Sequence, residues 1–153
     1  MLRQLVAIVV LSVVGGSRAK PEQIRSDQDP VFHYYLQAHP KNTSMAVLGP
    51  AATGEYFNIG GTIQSTNTSR YLNIGSDSTS YKTLTFDASP STTAWGLEGD
   101  TIITTQSSSY GRQLNFVACK LDGQYWQVYF QTGSATPSGT CSNYQSLHLP
   151  CLC

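Results

Sequence analysis

From residue 31 onward the chain repeats one pattern, in which short runs rich in Tyr, Phe, Ile, Val and Thr alternate with Gly, Pro, Ser, Asn and Asp. The first set favours β-strands and the second favours turns. No long segment keeps an apolar stripe at the 3.6-residue period of a helix. The pattern therefore predicts one all-β domain over residues 31–153, an antiparallel β-sandwich or barrel of about ten short strands.

Strand positions follow the apolar runs and the turn residues between them. We expect strands near residues 31–39, 46–48, 55–63, 70–74, 82–87, 94–98, 100–105, 112–119, 124–131 and 145–149. In the first of these, period two predicts an inner face and an outer face, the inner one formed by Phe32, Tyr34, Leu36 and Ala38. Between the strands at 94–98 and 100–105 we expect a turn, because Gly99 readily adopts a positive φ.

Two segments of the chain resemble each other. YFNIG at 56–60 and YLNIG at 71–75 share four of their five residues. Such an internal repeat would fit a β-trefoil, which is the alternative fold. The two arms of one hairpin would give the same likeness, and the sequence shows no third copy, so we favour the hairpin.

The clearest alternation in the chain lies at residues 124–131. One face carries Trp126, Val128 and Phe130, and the other face carries Tyr125, Gln127, Tyr129 and Gln131. The apolar run at 112–119 precedes it across the turn KLDG, which predicts an antiparallel hairpin at the centre of the core. We expect both Trp95 and Trp126 to lie in that core.

The opposite face of the same strand is the candidate binding surface. Amphipathic tyrosines beside amide side chains can contact the hydroxyls and the ring faces of a sugar. Tyr125, Gln127, Tyr129 and Gln131 therefore form a candidate carbohydrate platform, and an ordinary solvated strand face is the alternative.

The first nineteen residues, MLRQLVAIVVLSVVGGSRA, have the layout of a secretory signal peptide. Arg3 precedes an apolar run, and the small residues Ser17 and Ala19 predict cleavage after position 19. The apolar run is shorter than the ~20 residues that cross a bilayer. The sequence thus predicts a secreted protein, extracellular or held in a cell wall, with no membrane partner after cleavage.

The next segment, KPEQIRSDQDP at residues 20–30, is polar and bounded by prolines, and it predicts a disordered lead-in. Without residues 1–19 the chain keeps seven Lys and Arg against nine Asp and Glu, a formal charge of −2. This balance favours no polyanion, so we expect no nucleic-acid partner.

All four cysteines lie near the carboxyl end of the chain. An exported chain passes through an oxidising compartment, where disulfides form. Cys119 ends a core strand, and the loop after the next strand can return Cys141 beside it, so we predict a disulfide between these two. Pairing of Cys119 with Cys151 or with Cys153 stays open as an alternative.

Two sequons agree with export. Asn42 and Asn67 each begin the tripeptide NTS and sit among turn-forming residues, where a glycan would face solvent. Both are candidate N-glycosylation sites.

Catalytic and metal-binding patterns are sparse. His33, His39 and His148 share no metal-ligand spacing, and they are interpreted as surface residues. No nucleophile elbow and no phosphate-binding glycine loop occurs. We therefore expect neither an enzyme nor a cofactor or metal.

The block from residue 94 to 141 resembles the small secreted fungal cell-wall proteins typified by the phialide cell-wall protein, some of which are described as IgE-binding antigens. The likeness rests on Trp95, on Ala118-Cys119, on the run WQVY at 126–129 and on Cys141. This resemblance implies a structural or developmental role in the fungal wall or on spores, and it implies no catalytic residue.

The function expected from these features is that of a non-enzymatic secreted glycoprotein of the fungal wall or spore surface, with wall polysaccharide as its candidate partner. A carbohydrate-binding module or lectin is the main alternative. A secreted effector that acts on another organism is a further one.

Overall fold

The structure, a computed structural model, describes residues 20–150. The signal peptide predicted at 1–19 and the cysteines at 151 and 153 lie outside the described residues. The described part contains one turn of 3-10 helix at Ala51–Thr53 and thirteen strands: β1 (Arg25–Ser26), β2 (Tyr35–His39), β3 (Asn42–Gly49), β4 (Phe57–Ile59), β5 (Ile63–Ser65), β6 (Tyr71–Ile74), β7 (Tyr81–Asp87), β8 (Trp95–Glu98), β9 (Thr101–Thr104), β10 (Phe116–Lys120), β11 (Trp126–Gln131), β12 (Cys141–Gln145) and β13 (Leu147–His148).

The strands form one antiparallel sheet that curls almost into a closed barrel. Its pairing order is β4-β5-β6-β7-β11-β3-β2-β1-β13-β9-β8, and β10 lies between β11 and β12. The backbone nitrogen of Trp95, in the last strand of this order, donates to the carbonyl of Gly61 beside the first strand at 2.9 Å. The prediction of an all-β antiparallel sandwich or barrel is confirmed.

Strand β11 lies at the branch of this sheet. Along one edge it pairs with all of β10, from Phe116 opposite Phe130 to Lys120 opposite Trp126. Along the other edge its first residues pair with β3 and its last residues pair with β7. The hairpin predicted between residues 112–119 and 124–131 is therefore confirmed, and it occupies the centre of the sheet.

The core is built around three aromatic side chains. Trp95 stacks on Phe116 with ring centroids 6.5 Å apart, and Phe130 meets both rings edge-on at 6.2 and 6.0 Å. The indole nitrogen of Trp95 donates to the carbonyl of Leu72 at 3.0 Å, so its one polar atom is satisfied. Trp95 is 2% exposed and Trp126 is 8% exposed, which confirms that both tryptophans belong to the core.

The predicted turn at 98–100 is also confirmed. Gly99 has a φ of 61°, and it joins β8 to β9 in a tight hairpin in which Glu98 pairs with Thr101. This turn fixes the position of Asp100 just before β9 begins at Thr101.

Residues 20–30 correct the prediction of a disordered lead-in. Glu22 forms a two-way backbone bridge with Phe57, and β1 pairs with both β2 and β13. Ile24 is fully buried in the core, and Ser26 is fully buried beside it. The prediction followed the polar composition of the segment, whereas a single apolar side chain, Ile24, anchors it in the core.

The pair of similar segments also needs correction. The strand predicted at 55–63 is two strands, β4 and β5, because Gly60 and Gly61 turn the chain between them. β5 then pairs with β6, so the two NIG segments flank β5 rather than facing each other in one hairpin. β4 to β7 form the only meander of four consecutive strands among residues 20–150, whereas a β-trefoil would repeat such a unit three times.

The first predicted strand is shorter than residues 31–39. His33 has a φ of 57°, and this left-handed residue breaks the alternation before β2 begins at Tyr35. Phe32, expected inside, is consequently 52% exposed and stacks on His33. Gln37, expected outside, is 2% exposed, because its amide donates to the carbonyls of Tyr35 and Pro50.

Candidate functional site

The side chains of Tyr125, Gln127 and Tyr129, here called the tyrosine face, lie on the side of β11 that faces away from the core. In the ladder, Gln127 is opposite Val47 of β3 on one edge and Cys119 of β10 on the other. Directly opposed residues of an antiparallel pair point to the same side of the sheet. The tyrosine face therefore continues across three strands.

A small apolar layer lies on this same side of the sheet. Val47 and Val117 are both fully buried, although neither belongs to the main core cluster. Val117 is opposite Tyr129 in the ladder. The half-buried side chains of the tyrosine face thus cover apolar groups, which gives this face a structural role whether or not it binds a ligand.

The ring of Tyr125 packs closely against Gly49 of β3. A Cβ atom on Gly49 would come within 2.7 Å of two ring carbons of Tyr125, so only glycine allows this approach. The other neighbour is His39, whose ring centroid lies 5.2 Å from that of Tyr125. Tyr125 is therefore in contact with both β3 and His39.

Tyr129 is held by an aromatic partner on β7. Its ring meets that of Tyr81 edge-on at a centroid distance of 5.9 Å. Burial raises the pKa of the Tyr129 phenol, and the nearby Tyr81 and Asp77 add to the rise. The phenol therefore stays protonated and remains a hydrogen-bond donor at neutral pH.

Polar groups on the tyrosine face are free to meet a ligand. Within residues 20–150, neither the phenol oxygens of Tyr125 and Tyr129 nor the amide of Gln127 hydrogen-bonds to another protein group. Two phenols and one amide that flank a short apolar surface can contact the ring face and the hydroxyls of a sugar.

Gln131 does not belong to this platform, which corrects the sequence prediction. It is 2% exposed, its amide donates to the carbonyl of Gly133 at 2.7 Å, and its amide oxygen accepts from the backbone nitrogen of Tyr144 at 2.8 Å. The loop after β11 folds back over this end of the strand. Gln131 therefore ties β11 to β12.

The predicted disulfide is present and adjoins the tyrosine face. Cys119 of β10 and Cys141 of β12 are bonded, and they are opposite each other in the ladder. Cys119 is also the neighbour of Gln127 across β10 and β11. The bond thus fixes the edge of the sheet nearest to the candidate platform.

Both sequon asparagines are exposed. The amide oxygen of Asn42 accepts from the hydroxyl of Ser44, the third residue of its sequon, at 2.8 Å. The amide oxygen of Asn67 accepts from the backbone nitrogen of Tyr56 at 3.1 Å. In each case the oxygen is held while the amide nitrogen, the atom that would carry a glycan, makes no bond to the described residues.

Two surface clefts lie away from the tyrosine face. The larger has a volume of about 650 Å³ and is walled by Asn58 and Gln64 of the β4–β5 hairpin together with Lys20. The smaller, of about 250 Å³, is walled by serines and threonines of three loops and by Tyr110. Neither was indicated by the sequence, because their walls come from separate segments.

The three histidines lie apart in the structure. His39 is 9% exposed and accepts from the backbone nitrogen of Lys41, so its prediction as a surface residue is corrected. His33 lies 3.6 Å from Asp27. His148 lies beside Asp100 and Ser146, a contact that sequence spacing did not reveal. Among residues 20–150, no group of three potential ligands could hold a metal ion.

Comparison with known proteins adds no relative to this picture. No family model, no curated protein and no solved structure matches the chain. Within residues 20–150 the structure also contains no helix long and apolar enough to cross a membrane.

Proposed function

We propose that the chain is a secreted glycoprotein of the fungal cell wall or spore surface, with a structural role. The proposal draws on the signal-like leader and on the resemblance of residues 94–141 to small fungal wall proteins. The observation that carries it is the exposure of Asn42 and Asn67, each with its amide nitrogen free. A glycan at either position would project into solvent without disturbing the sheet.

The disulfide supports the same location. A bond between Cys119 and Cys141 persists in an oxidising compartment and is rare in the cytosol. Without residues 1–19 the chain has fewer basic than acidic residues. This charge is compatible with wall polysaccharide as the partner, and it does not favour nucleic acid.

The test is fractionation of the source organism followed by glycan release. We expect antibody signal in the wall or the culture fluid, and a mass that falls when N-linked glycans are removed enzymatically. Asn42→Gln and Asn67→Gln should each lower the mass of the protein by one glycan. Asn58 is an exposed asparagine outside any sequon, so Asn58→Gln should leave the glycan mass unchanged. A cytosolic and unglycosylated protein would contradict the proposal.

A second candidate function is carbohydrate binding through the tyrosine face. The observation that favours it is the pair of ring-bearing phenols on either side of Gln127 with no protein partner for their polar atoms. In this view the protein holds wall polysaccharide directly instead of being a passive component.

Replacement of one tyrosine tests this candidate. Tyr129→Ala should weaken binding to a wall-polysaccharide column or a glycan array about five- to thirtyfold, because it removes a ring face and a donor that together contribute about 1–2 kcal/mol. Tyr129→Phe should retain part of the affinity, since it keeps the ring. Tyr144→Ala is the matched control, because Tyr144 is 53% exposed and lies on another strand. Equal binding by all three variants would exclude the tyrosine face.

A further inference from the structure

The pairing of β9 with β13 brings Asp100 beside His148, which lies 48 residues further along the chain, and beside Ser146, two residues before His148. The hydroxyl oxygen of Ser146 lies 2.7 Å from Nε2 of His148, and Nδ1 of His148 lies 3.4 Å from Oδ1 of Asp100. Oγ1 of Thr101 lies 3.2 Å from the same Nδ1. A hydroxyl, an imidazole and a carboxylate in this order form the arrangement by which hydrolases activate a serine.

The backbone holds these residues in register. His148 is opposite Thr101 in the β9–β13 ladder, and the backbone nitrogen of Leu149 donates to the carbonyl of Asp100 at 2.8 Å. Gln145 is 2% exposed and Leu147 is fully buried, so Ser146 and His148 point to the opposite, solvent side of the chain. The contact therefore follows from the fold and does not depend on long, mobile side chains.

The hydrogen-bond chemistry selects one form of the imidazole. An ionised carboxylate only accepts, so Asp100 favours the tautomer of His148 that carries its proton on Nδ1. Nε2 is then the acceptor and the Ser146 hydroxyl is its donor. This is the form in which an imidazole can remove the serine proton.

The cluster is reachable from solvent. The side chain of His148 is 19% exposed and that of Asp100 is 61% exposed. Neither of the two clefts described above includes Ser146 or His148 in its walls. An acyl donor that reacts here must therefore be short, or must be displayed at the surface of a larger molecule.

We propose that Ser146 is a nucleophile for short-chain acyl esters, with His148 as its base and with Asp100 and Thr101 as positioning residues. The serine oxygen bonds to the acyl carbon while its proton passes to Nε2. The bond from the acyl carbon to the ester oxygen then breaks, and the departing alcohol takes that proton. Water, activated in the same way by His148, releases the acid and restores the serine.

This activity goes beyond the proposed wall function and departs from the non-enzymatic role expected from the sequence. The two are separable, because location is measured in the organism and serine reactivity is measured on purified protein. A negative result in one measurement does not affect the proposal that the other measurement tests.

The experiment is reaction of the purified mature chain with a fluorophosphonate probe, followed by peptide mapping. The serine oxygen bonds to phosphorus and fluoride leaves, so labelling reports an activated serine. We expect one label at Ser146, none in Ser146→Ala, and labelling at least about 100-fold slower in His148→Gln. Asp100→Asn should slow labelling less, because Thr101 still contacts Nδ1. Wild-type protein should also release a burst of one nitrophenol per chain from p-nitrophenyl acetate.

One variant and one internal peptide control for nonspecific reactivity. His33→Gln removes an exposed histidine that also lies near an aspartate, and it should leave both readouts unchanged. Ser107 is exposed and its hydroxyl contacts Thr105 instead of an imidazole, so its peptide gives the background rate within the same sample. Labelling of Ser146 no faster than Ser107 would overturn the proposal, with no need for any variant. An unchanged rate in a folded His148→Gln protein would overturn it as well.

Discussion

Phe130→Ala is expected to lower the free energy of unfolding by about 3–5 kcal/mol, the usual cost of truncating a fully buried phenylalanine. Phe130 is fully buried, and its ring contacts those of Trp95, Phe116 and Tyr110. Its removal leaves a cavity at the point where β11 branches to two sheet edges, so neighbouring side chains cannot collapse onto it easily. Domains are typically stable by only about 5–15 kcal/mol, so the variant should lie close to the unfolding threshold.

Urea denaturation followed by tryptophan fluorescence measures this loss. Phe32→Ala is the matched control, because it makes the same chemical change at a side chain that is 52% exposed. Its effect should stay within about 0.5 kcal/mol, as is usual for surface substitutions. Equal losses in the two variants would contradict the assignment of Phe130 to the centre of the core.

Features encoded by neighbouring residues could be predicted from the sequence. The hairpin of β10 and β11 follows from strict alternation and an intervening Asp-Gly turn, and the β8–β9 turn follows from Gly99. Each consists of two consecutive strands and the turn that joins them, so local pattern was sufficient.

Features that depend on distant segments could not be predicted in this way. Gln131 looked solvent-facing by alternation, but the backbone of Tyr144 returns to bond its amide. Ile24 is a lone apolar residue in a polar segment, yet it fills the core. The contact between His148 and Asp100 spans 48 residues and exists only because β13 pairs with β9. Pairing between distant strands is a global property, and periodicity does not report it.

The candidate platform also combines features that local sequence predicts with features that depend on other strands. Alternation placed Tyr125, Gln127 and Tyr129 on one face, and the structure keeps them there. It did not indicate that this face covers Val47 and Val117, because those valines come from two other strands. Substitutions at the tyrosines therefore have to be judged by both binding and stability.

Removal of the disulfide is the second change with a large expected effect. Cys119→Ala combined with Cys141→Ala should lower the free energy of unfolding by about 3 kcal/mol, because the bond closes a loop of 22 residues and restricts the unfolded chain. Both cysteines must be replaced together, since a single variant would leave one thiol able to pair with Cys151 or Cys153. The loss should appear in urea denaturation of the double variant without reductant.

Reductant provides the control for this prediction. Wild-type protein with its disulfide reduced should approach the stability of the double variant, and the double variant itself should barely respond to reductant.

The tyrosine face adds a further consequence, because Cys119 is the ladder neighbour of Gln127 and the freed edge of β10 and β12 adjoins it. Hydrogen exchange at residues 125–129 should therefore quicken in the double variant more than exchange in β6, which lies two strands away from β11.

Non-reducing peptide mapping of the wild type gives the decisive check on pairing: a peptide that joins Cys119 to either tail cysteine would contradict it. Equal stability of the oxidised and reduced wild type would show instead that the sheet alone holds this edge, because the loop between β11 and β12 would then be restrained without the bond.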